Sequence, residues 1–399
     1  LKIKRFIIRL RRGPLVIGLL KACFLLASLL PVRKQLVIFE SFHGKQYSDN
    51  PRAIYEYMRT HYPELELYWS ADRRHTELFS QQQLPYLRRF SFAWICKMAR
   101  AHYWIVNARM PQWLPKRKGT MYVQTWHGTP LKRLAADMDA VHMPGTDTER
   151  YKKNFLEEAA KWDILLSPNA YSTDIFRRAF DFKKEVLEFG YPRNDVLTNQ
   201  YNIETVEQLK KACQLPTDKK VILYAPTWRD NQFYDVGKYK FEIQLDMKRM
   251  QEELGENYVL VLRLHYLVAE NLDLTGLEGF AYDFSTYGDI KDLYLLADIL
   301  ITDYSSVFFD YAILKRPILF FVYDLDDYRD DLRGFYFDFE QEAPGPLLQS
   351  TTEIIDTVKQ LEQAGYSPTA ERQAFYERFC SLEDGNASRR VVERILQEL

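Results

Sequence analysis

Ile299-Leu300-Ile301-Thr302-Asp303-Tyr304-Ser305-Ser306 is an apolar, β-branched run that ends in a polar cluster suited to opening a helix. Just upstream, residues 289–297 place Ile290, Leu293, Tyr294 and Ala297 at helical spacing, so a helix feeds the strand and another leaves it. The same alternation extends outward in both directions. Second-half strands are expected at 221–225, 258–264, 280–283 and 318–321. First-half strands are expected at 36–40, 66–70, 103–107, 122–125, 164–167 and 185–189, with helices at 51–60, 148–161 and 204–213. Alternating helices and strands predict α/β architecture with parallel sheets. Two doubly wound halves imply a central cleft faced by strand C-termini and helix N-termini. The boundary is placed near Tyr201, giving domains 33–200 and 201–399, with the helices expected at 368–378 and 387–396 able to pack on either.

The 399 residues, 47% apolar and 15% aromatic, can fill two cores. The net charge of −1 hides an asymmetry: nine of the 54 basic residues precede the first acidic one, Glu40, so residues 40–399 carry 45 basic against 55 acidic side chains. That balance excludes a broadly nucleic-acid-binding body. Cys23, Cys96, Cys213 and Cys380 are too far apart for a zinc pattern or a disulfide framework, which fits a reducing, cytoplasmic compartment. Residues 1–32 join a basic stretch to an apolar run that Lys21 interrupts. A signal or anchor and a helix packed on the body are both readings of it. The preferred one is a basic, amphipathic segment lying in the cytoplasmic membrane interface.

Three strand ends carry the candidate chemistry. Thr302, Asp303, Ser305 and Ser306 offer hydroxyls and helix-start amides to a diphosphate, against the plainer reading of an N-cap. Arg263 and His265, two residues apart, can reach one anion if they share a strand face, and Arg229 follows another strand end on the same side. In Thr125-Trp126-His127-Gly128-Thr129-Pro130, Gly128 permits close backbone approach and His127 can take a proton from a hydroxyl near neutral pH. One histidine from the first half facing a phosphate-binding set from the second suggests a transferase with a nucleotide-linked donor. The run Asp324, Asp326, Asp327, Asp330 and Asp331 reads as a solvated acidic loop rather than a metal site. No Walker or dinucleotide glycine loop occurs, which disfavours kinases and dehydrogenases.

Phe39-Glu40-Ser41 with Tyr47-Ser48-Asp49-Asn50-Pro51, the Thr125–Pro130 motif, Tyr191-Pro192-Arg193-Asn194-Asp195, Ala225-Pro226-Thr227-Trp228-Arg229, Thr302–Ser306, and a late segment from Tyr323-Asp324 through Arg333-Gly334 to Pro344-Gly345-Pro346 form an ordered set over about residues 36–350. This set resembles the CDP-glycerol:poly(glycerophosphate) glycerophosphotransferase family of wall teichoic acid synthesis. The resemblance implies two Rossmann-like domains in a GT-B-like arrangement and a peripheral enzyme on the cytoplasmic membrane face. It implies CDP-glycerol as donor, no bound redox cofactor, an undecaprenyl-diphosphate-linked disaccharide acceptor, and company with other teichoic acid enzymes; no residues are assigned to a metal. It assigns His127 as general base and His265 as stabiliser of the transferred phosphate. Arg229, Ser305 and Ser306 would hold the donor diphosphate, with Arg263, Thr302 and Asp303 beside them and Asn194 near the same cleft. Trp126, Gly128 and Thr129 would lie on the acceptor side. A single catalytic module behind a short basic segment looks more like the primase that adds one glycerol phosphate. Glycerol- or ribitol-phosphate polymerases, a nucleotide-sugar GT-B glycosyltransferase and a non-catalytic membrane scaffold are the alternatives.

Overall fold

The structure is a computed structural model that describes residues 13–140, 147–227, 233–235, 238–239, 243–264, 272–325, 334–366 and 369–397. Its first sheet contains β1 (Arg33–Glu40), β2 (Glu66–Ala71), β3 (Tyr86–Arg88), β4 (Ala101–Val106), β5 (Met121–Gln124), β6 (Ile164–Ser167) and β7 (Glu185–Glu188). The strands are all parallel, in spatial order 3-2-1-4-5-6-7. After β8 (Lys220–Tyr224) comes a small antiparallel hairpin of β9 (Phe233–Asp235) and β10 (Lys238–Tyr239). The second sheet is completed by β11 (Tyr258–Leu262), β12 (Ala281–Asp283), β13 (Ile299–Thr302), β14 (Ile318–Phe321) and β15 (Leu347–Leu348). It is also parallel, in order 12-11-8-13-14-15. Both sheets are doubly wound, and strand order reverses between β1 and β4 in one and between β8 and β13 in the other. Those reversals open the crevices where such sheets bind ligands. The fold is α/β with two parallel sheets in a GT-B-like arrangement.

The central strands read as unbroken apolar runs because helices cover both faces of each sheet. Every residue of Tyr258–Leu262, Ile299–Thr302 and Ile318–Phe321 is buried. The chain crosses into the second domain between Tyr191 and Val196, ahead of Tyr201, since Leu197 belongs to the second core and Val196 packs against it. It crosses back at the other end. Phe375 and Phe379 join the second core beside Phe308 and Phe309, whereas Val391, Val392 and Ile395 of the last helix, Ala387–Leu396, seal the first sheet against Val37 and Phe39. Tyr103 donates to the Ile395 carbonyl at 3.3 Å, which fixes that helix in place.

The double crossing creates a buried polar hub. Arg193 pairs with Asp49 of the first domain at 3.0 Å and with Asp310 of the second at 2.7 Å. Asn194 donates its amide to Asp310 and Glu383, both at 3.1 Å, and the Tyr191 N–H donates to Glu383. Burial pushes the Glu383 carboxyl up to about 8. The Asp310 carboxyl is also raised, by burial, against the lowering pull of Arg193.

The helix Pro14–Ala27 is apolar all round apart from Lys21. Phe24 and Ala27 are buried, Phe24 lying edge-on to Trp104, and Leu20 and Cys23 pack on the same core. Leu15, Leu19 and Leu26 stay 89, 65 and 66% exposed, and the exposed Leu29 follows them. The segment is therefore docked on one face and bare on the other. Among the described residues, no helix is long and apolar enough to cross a membrane.

Candidate active site

The cleft between the sheets holds a cavity of about 640 Å³ joined to a second of about 250 Å³. His127, Arg263, Ser306, Phe42 and Gln46 border both. His127 sits just beyond β5 and is half-buried, with its ring stacked on Trp126 at 4.5 Å and edge-on to Phe42. Its Nδ1 lies 2.7 Å from the Asn107 carbonyl, at the end of neighbouring β4. A carbonyl only accepts, so Nδ1 carries the hydrogen and Nε2 keeps the lone pair. Burial lowers the His127 pKa, the Asp49 carboxylate and the Asn107 hydrogen bond pull it back up, and Arg193 lowers it again. The net direction is down, so the ring is neutral at neutral pH and able to accept a proton. Asp49 is placed to offset the charge that appears when it does.

Trp126 adopts a left-handed backbone with φ 52°, which turns the chain sharply out of β5. Asn50 holds that turn by donating to the Thr125 and Trp126 carbonyls, each at 3.3 Å. Gly128 then meets the other domain: a Cβ there would stand 3.1 Å from Ser306 Oγ. The first-half histidine motif and the second-half serine pair are thus brought together across the cleft. Trp126, Gly128, Thr129, Ser305 and Ser306 all border the larger cavity.

Other candidate residues occupy different places. Thr302 donates to the Ala225 carbonyl at 2.7 Å, and Asp303 accepts from the Thr227 N–H at 2.7 Å. Both are buried and stitch β13 to β8 at the strand reversal, beneath the serines. Arg263 borders both cavities, but its Nη1 is held by the carbonyls of Phe284, Ser285 and Tyr287 at 2.7–2.8 Å. Asn194 borders the smaller cavity while its amide nitrogen belongs to the hub. The helix after the serines, Val307–Tyr311, is short, and Ser306 makes no side-chain cap hydrogen bond. Arg229 and His265 lie outside the described residues, as do Asp326, Asp327, Asp330 and Asp331, while Asp324 accepts from Tyr304. Among the described residues no group of three or more His, Cys, Asp or Glu could hold a metal ion.

Asn107 and Asp49 were not singled out as functional from the sequence. Asn107 ends the strand beside the one that carries His127, and strand ends adjoining a candidate base are where its orienting partner belongs. Asp49 falls within the Tyr47–Pro51 motif, but nothing local ties it to Arg193, 144 positions away.

Comparison with known proteins gives this geometry its context. The family model for CDP-glycerol:poly(glycerophosphate) glycerophosphotransferase matches residues 22–397. The chain is 56% identical over 97% of its length to the teichoic acid poly(glycerol phosphate) polymerase of Bacillus subtilis, and spans about half, 52%, of that relative. It is 54% identical over 96% of its length to the polymerase of the same description from Bacillus spizizenii, covering 97% of that protein. The teichoic acid glycerol-phosphate primase of Bacillus subtilis is 31% identical over 71% of this chain and 69% of its own. The solved structure of the wall teichoic acid polymerase TagF superposes with a TM-score of 0.87 at 44% identity, covering 100% of this chain and 98% of that one. A His-to-Asn variant of that polymerase has been soaked with CDPG. The cleft, its apposed histidine and serine motifs and these matches converge: the chain belongs to the CDP-glycerol:poly(glycerophosphate) glycerophosphotransferase family, enzymes that transfer glycerol phosphate from CDP-glycerol.

Proposed function

We propose that this protein is a teichoic acid poly(glycerol phosphate) polymerase, adding glycerol phosphate repeatedly to the hydroxyl end of a lipid-linked acceptor and releasing CMP. The primase expectation rested on the chain's single module. That feature does not discriminate, because the Bacillus spizizenii polymerase is matched over 97% of its length. Identity of 54–56% to polymerases against 31% to a primase favours repeated addition.

The observation that carries the mechanism is the His127 Nδ1 contact to Asn107, which leaves Nε2 as the base on a ring bordering both cavities. The acceptor oxygen attacks the phosphorus bound to glycerol, the bond from that phosphorus to the CMP oxygen breaks, and CMP departs with the electron pair. His127 Nε2 takes the hydroxyl proton, and Asp49 stabilises the imidazolium. Ser305 and Ser306 hold the donor diphosphate, Arg263 adds positive potential, and Arg229 and His265 complete the phosphate-binding set in this reading. Trp126, Gly128 and Thr129 form the acceptor wall. Asn194 acts from the hub by holding the two halves of the cleft in register.

The acceptor in this reading is the undecaprenyl-diphosphate-linked disaccharide already bearing glycerol phosphate, met at the cytoplasmic membrane face. The bare Leu15, Leu19 and Leu26 face would enter the lipid interface behind the basic residues 1–12. The test is CMP release from CDP-glycerol, CDP-ribitol and a UDP-sugar with a synthetic primed acceptor. Release specific to CDP-glycerol supports the proposal. Preference for CDP-ribitol or the UDP-sugar, or no release from folded protein, refutes it.

A further inference from the structure

The larger cavity is also walled by the loop that follows β1, and this loop has no role in the steps above. It contains three consecutive left-handed residues, Phe42 (φ 45°), His43 (φ 63°) and Gly44 (φ 79°). Non-glycine residues avoid this conformation unless their surroundings hold them there. Here the Phe42 N–H donates to the Asn107 side-chain oxygen at 2.9 Å, Ser41 Oγ donates to the Ser48 carbonyl at 2.7 Å, and the Asp72 N–H donates to the Gly44 carbonyl at 2.8 Å. A Cβ on Gly44 would fall 2.6 Å from the Ser70 carbonyl oxygen, so only glycine fits against the sheet edge. The loop is thus a fixed bracket, tied to the same Asn107 that orients His127.

The bracket presents His43 and Lys45 to the cavity. Arg89 and Arg109 lie near enough for their charges to act on His43, without lining the cavity. Arg89 is matched by Glu40 at 3.0 Å, but among the described residues Lys45 and Arg109 form no ion pair, and Arg109 rests on the rings of Phe155 and Tyr151. His43 itself is exposed at the cleft surface, and partial desolvation there, followed by the positive charges of Arg89, Lys45 and Arg109, lowers its pKa to about 4. The imidazole is therefore neutral, and the region keeps an excess of positive charge in the same cavity as the general base. A fixed, uncompensated positive potential in a cleft is an anion-binding feature.

We propose that Lys45 and His43 form an acceptor subsite that binds the phosphodiester nearest the attacking hydroxyl, with Arg109 adding positive potential from outside the cavity lining. This deepens the polymerase reading and rests on it. In a glycerol phosphate chain that phosphodiester lies one glycerol away from the terminal hydroxyl, so an anion held by Lys45 would carry the hydroxyl toward His127. The subsite would then favour an acceptor already bearing glycerol phosphate over one bearing none.

The experiment measures steady-state CMP release by the full chain with CDP-glycerol, varying two lipid-linked disaccharide acceptors, one primed with two glycerol phosphates and one unprimed. Lys45→Gln, Arg109→Gln and the pair are compared with the parent, with thermal unfolding as the check on folding. The expected result is a rise in KM for the primed acceptor of roughly tenfold in Lys45→Gln, the loss of one charge-assisted hydrogen bond, and a smaller rise in Arg109→Gln, which acts through its charge alone. The KM for CDP-glycerol should stay within about twofold, and the preference for the primed acceptor should shrink. An unchanged primed-acceptor KM, an equal rise for donor, or an equal rise for the unprimed acceptor, which would assign the cations to the lipid diphosphate, overturns the proposal. Calorimetric titration with free di(glycerol phosphate) gives a readout independent of turnover: heat lost in the Lys45→Gln, Arg109→Gln pair is expected, and identical binding refutes the subsite. A parent chain that releases no CMP fails the polymerase reading itself, which this titration still separates from the subsite.

Discussion

Replacing Arg193 with alanine removes a cation shared by Asp49 and Asp310, whose side chains are 8 and 9% exposed against 13% for Arg193 itself. Removing one partner from a buried ion pair costs about 3–5 kcal/mol, mostly as the penalty of the charge left behind. Two carboxylates remain here, in contact with different domains. Asp49 keeps a hydrogen bond from the Asn50 N–H and Asp310 keeps one from Asn194, so we place the loss at about 3 kcal/mol. Its pH dependence is specific. Burial already raises the Asp310 pKa, and losing Arg193 removes the main opposing influence, so the folded value rises further above the unfolded one. A group with a raised folded pKa is relieved by protonation, so the deficit should be largest at pH 8 and shrink toward pH 5. Six of the seven tryptophans lie in the first domain, so urea unfolding followed by tryptophan emission reports that domain, and hydrogen exchange across Val307–Tyr311 reports the second. Arg193→Ala combined with Asp310→Asn should recover part of the loss. A loss below about 1 kcal/mol at pH 8, or one independent of pH, would refute the role given to the hub.

Four other outcomes follow from the same geometry. His127→Ala should lower kcat by about 10²- to 10⁴-fold, and the acid limb of the parent's pH profile should have its midpoint below the ordinary imidazole value of 6.5; a midpoint above that value contradicts the burial argument. Gly128→Ala would push a methyl to 3.1 Å from Ser306 Oγ and should reduce kcat/KM, with Ser306→Ala in the same chain restoring less crowding but not full activity; an unaffected Gly128→Ala enzyme rules out close apposition. With its folded pKa raised to about 8, Glu383 contributes stability that is full below its unfolded value near 4.5 and lost as pH rises through about 8, so Glu383→Gln should flatten the fall in thermal midpoint between pH 7 and 9. Replacing Leu15, Leu19 and Leu26 together with glutamate should cut sedimentation with anionic vesicles while leaving the thermal midpoint unchanged, in contrast to Phe24→Ala, which opens the core; retained sedimentation argues against the lipid-facing role.

The elements visible in the sequence are those whose burial is decided locally. The strands expected at 164–167, 299–302 and 318–321 coincide with Ile164–Ser167, Ile299–Thr302 and Ile318–Phe321, because buried parallel strands are continuous apolar runs. The short edge strands Tyr86–Arg88 and Leu347–Leu348 were missed, since two or three residues carry no period. The expected strand at 258–264 runs only to Leu262: the Arg263 N–H makes a last bond to the Tyr224 carbonyl while its side chain caps the carbonyls of Phe284, Ser285 and Tyr287, and the Leu264 N–H turns to the Ser285 side chain. His127 and the serine pair, each expected just after a strand, do border one cavity. Thr302 and Asp303 looked alike in sequence to Ser305 and Ser306, yet the strand reversal buries the first two under the second. The hub was illegible for a different reason. Its members, Asp49, Arg193, Asp310 and Glu383, meet only because the chain crosses between domains twice, and no local pattern encodes that return.

The central claim is repeated glycerol phosphate transfer with His127 as base. The most direct measurement is the mass distribution of lipid-linked product made from CDP-glycerol and a primed acceptor, by the parent chain and by His127→Ala at equal folded concentration. A ladder of products separated by one glycerol phosphate, absent or slowed at least a hundredfold in the variant, is the predicted result. A single addition by the parent would return the chain to the primase reading, and an undiminished ladder from His127→Ala would remove the base from the mechanism.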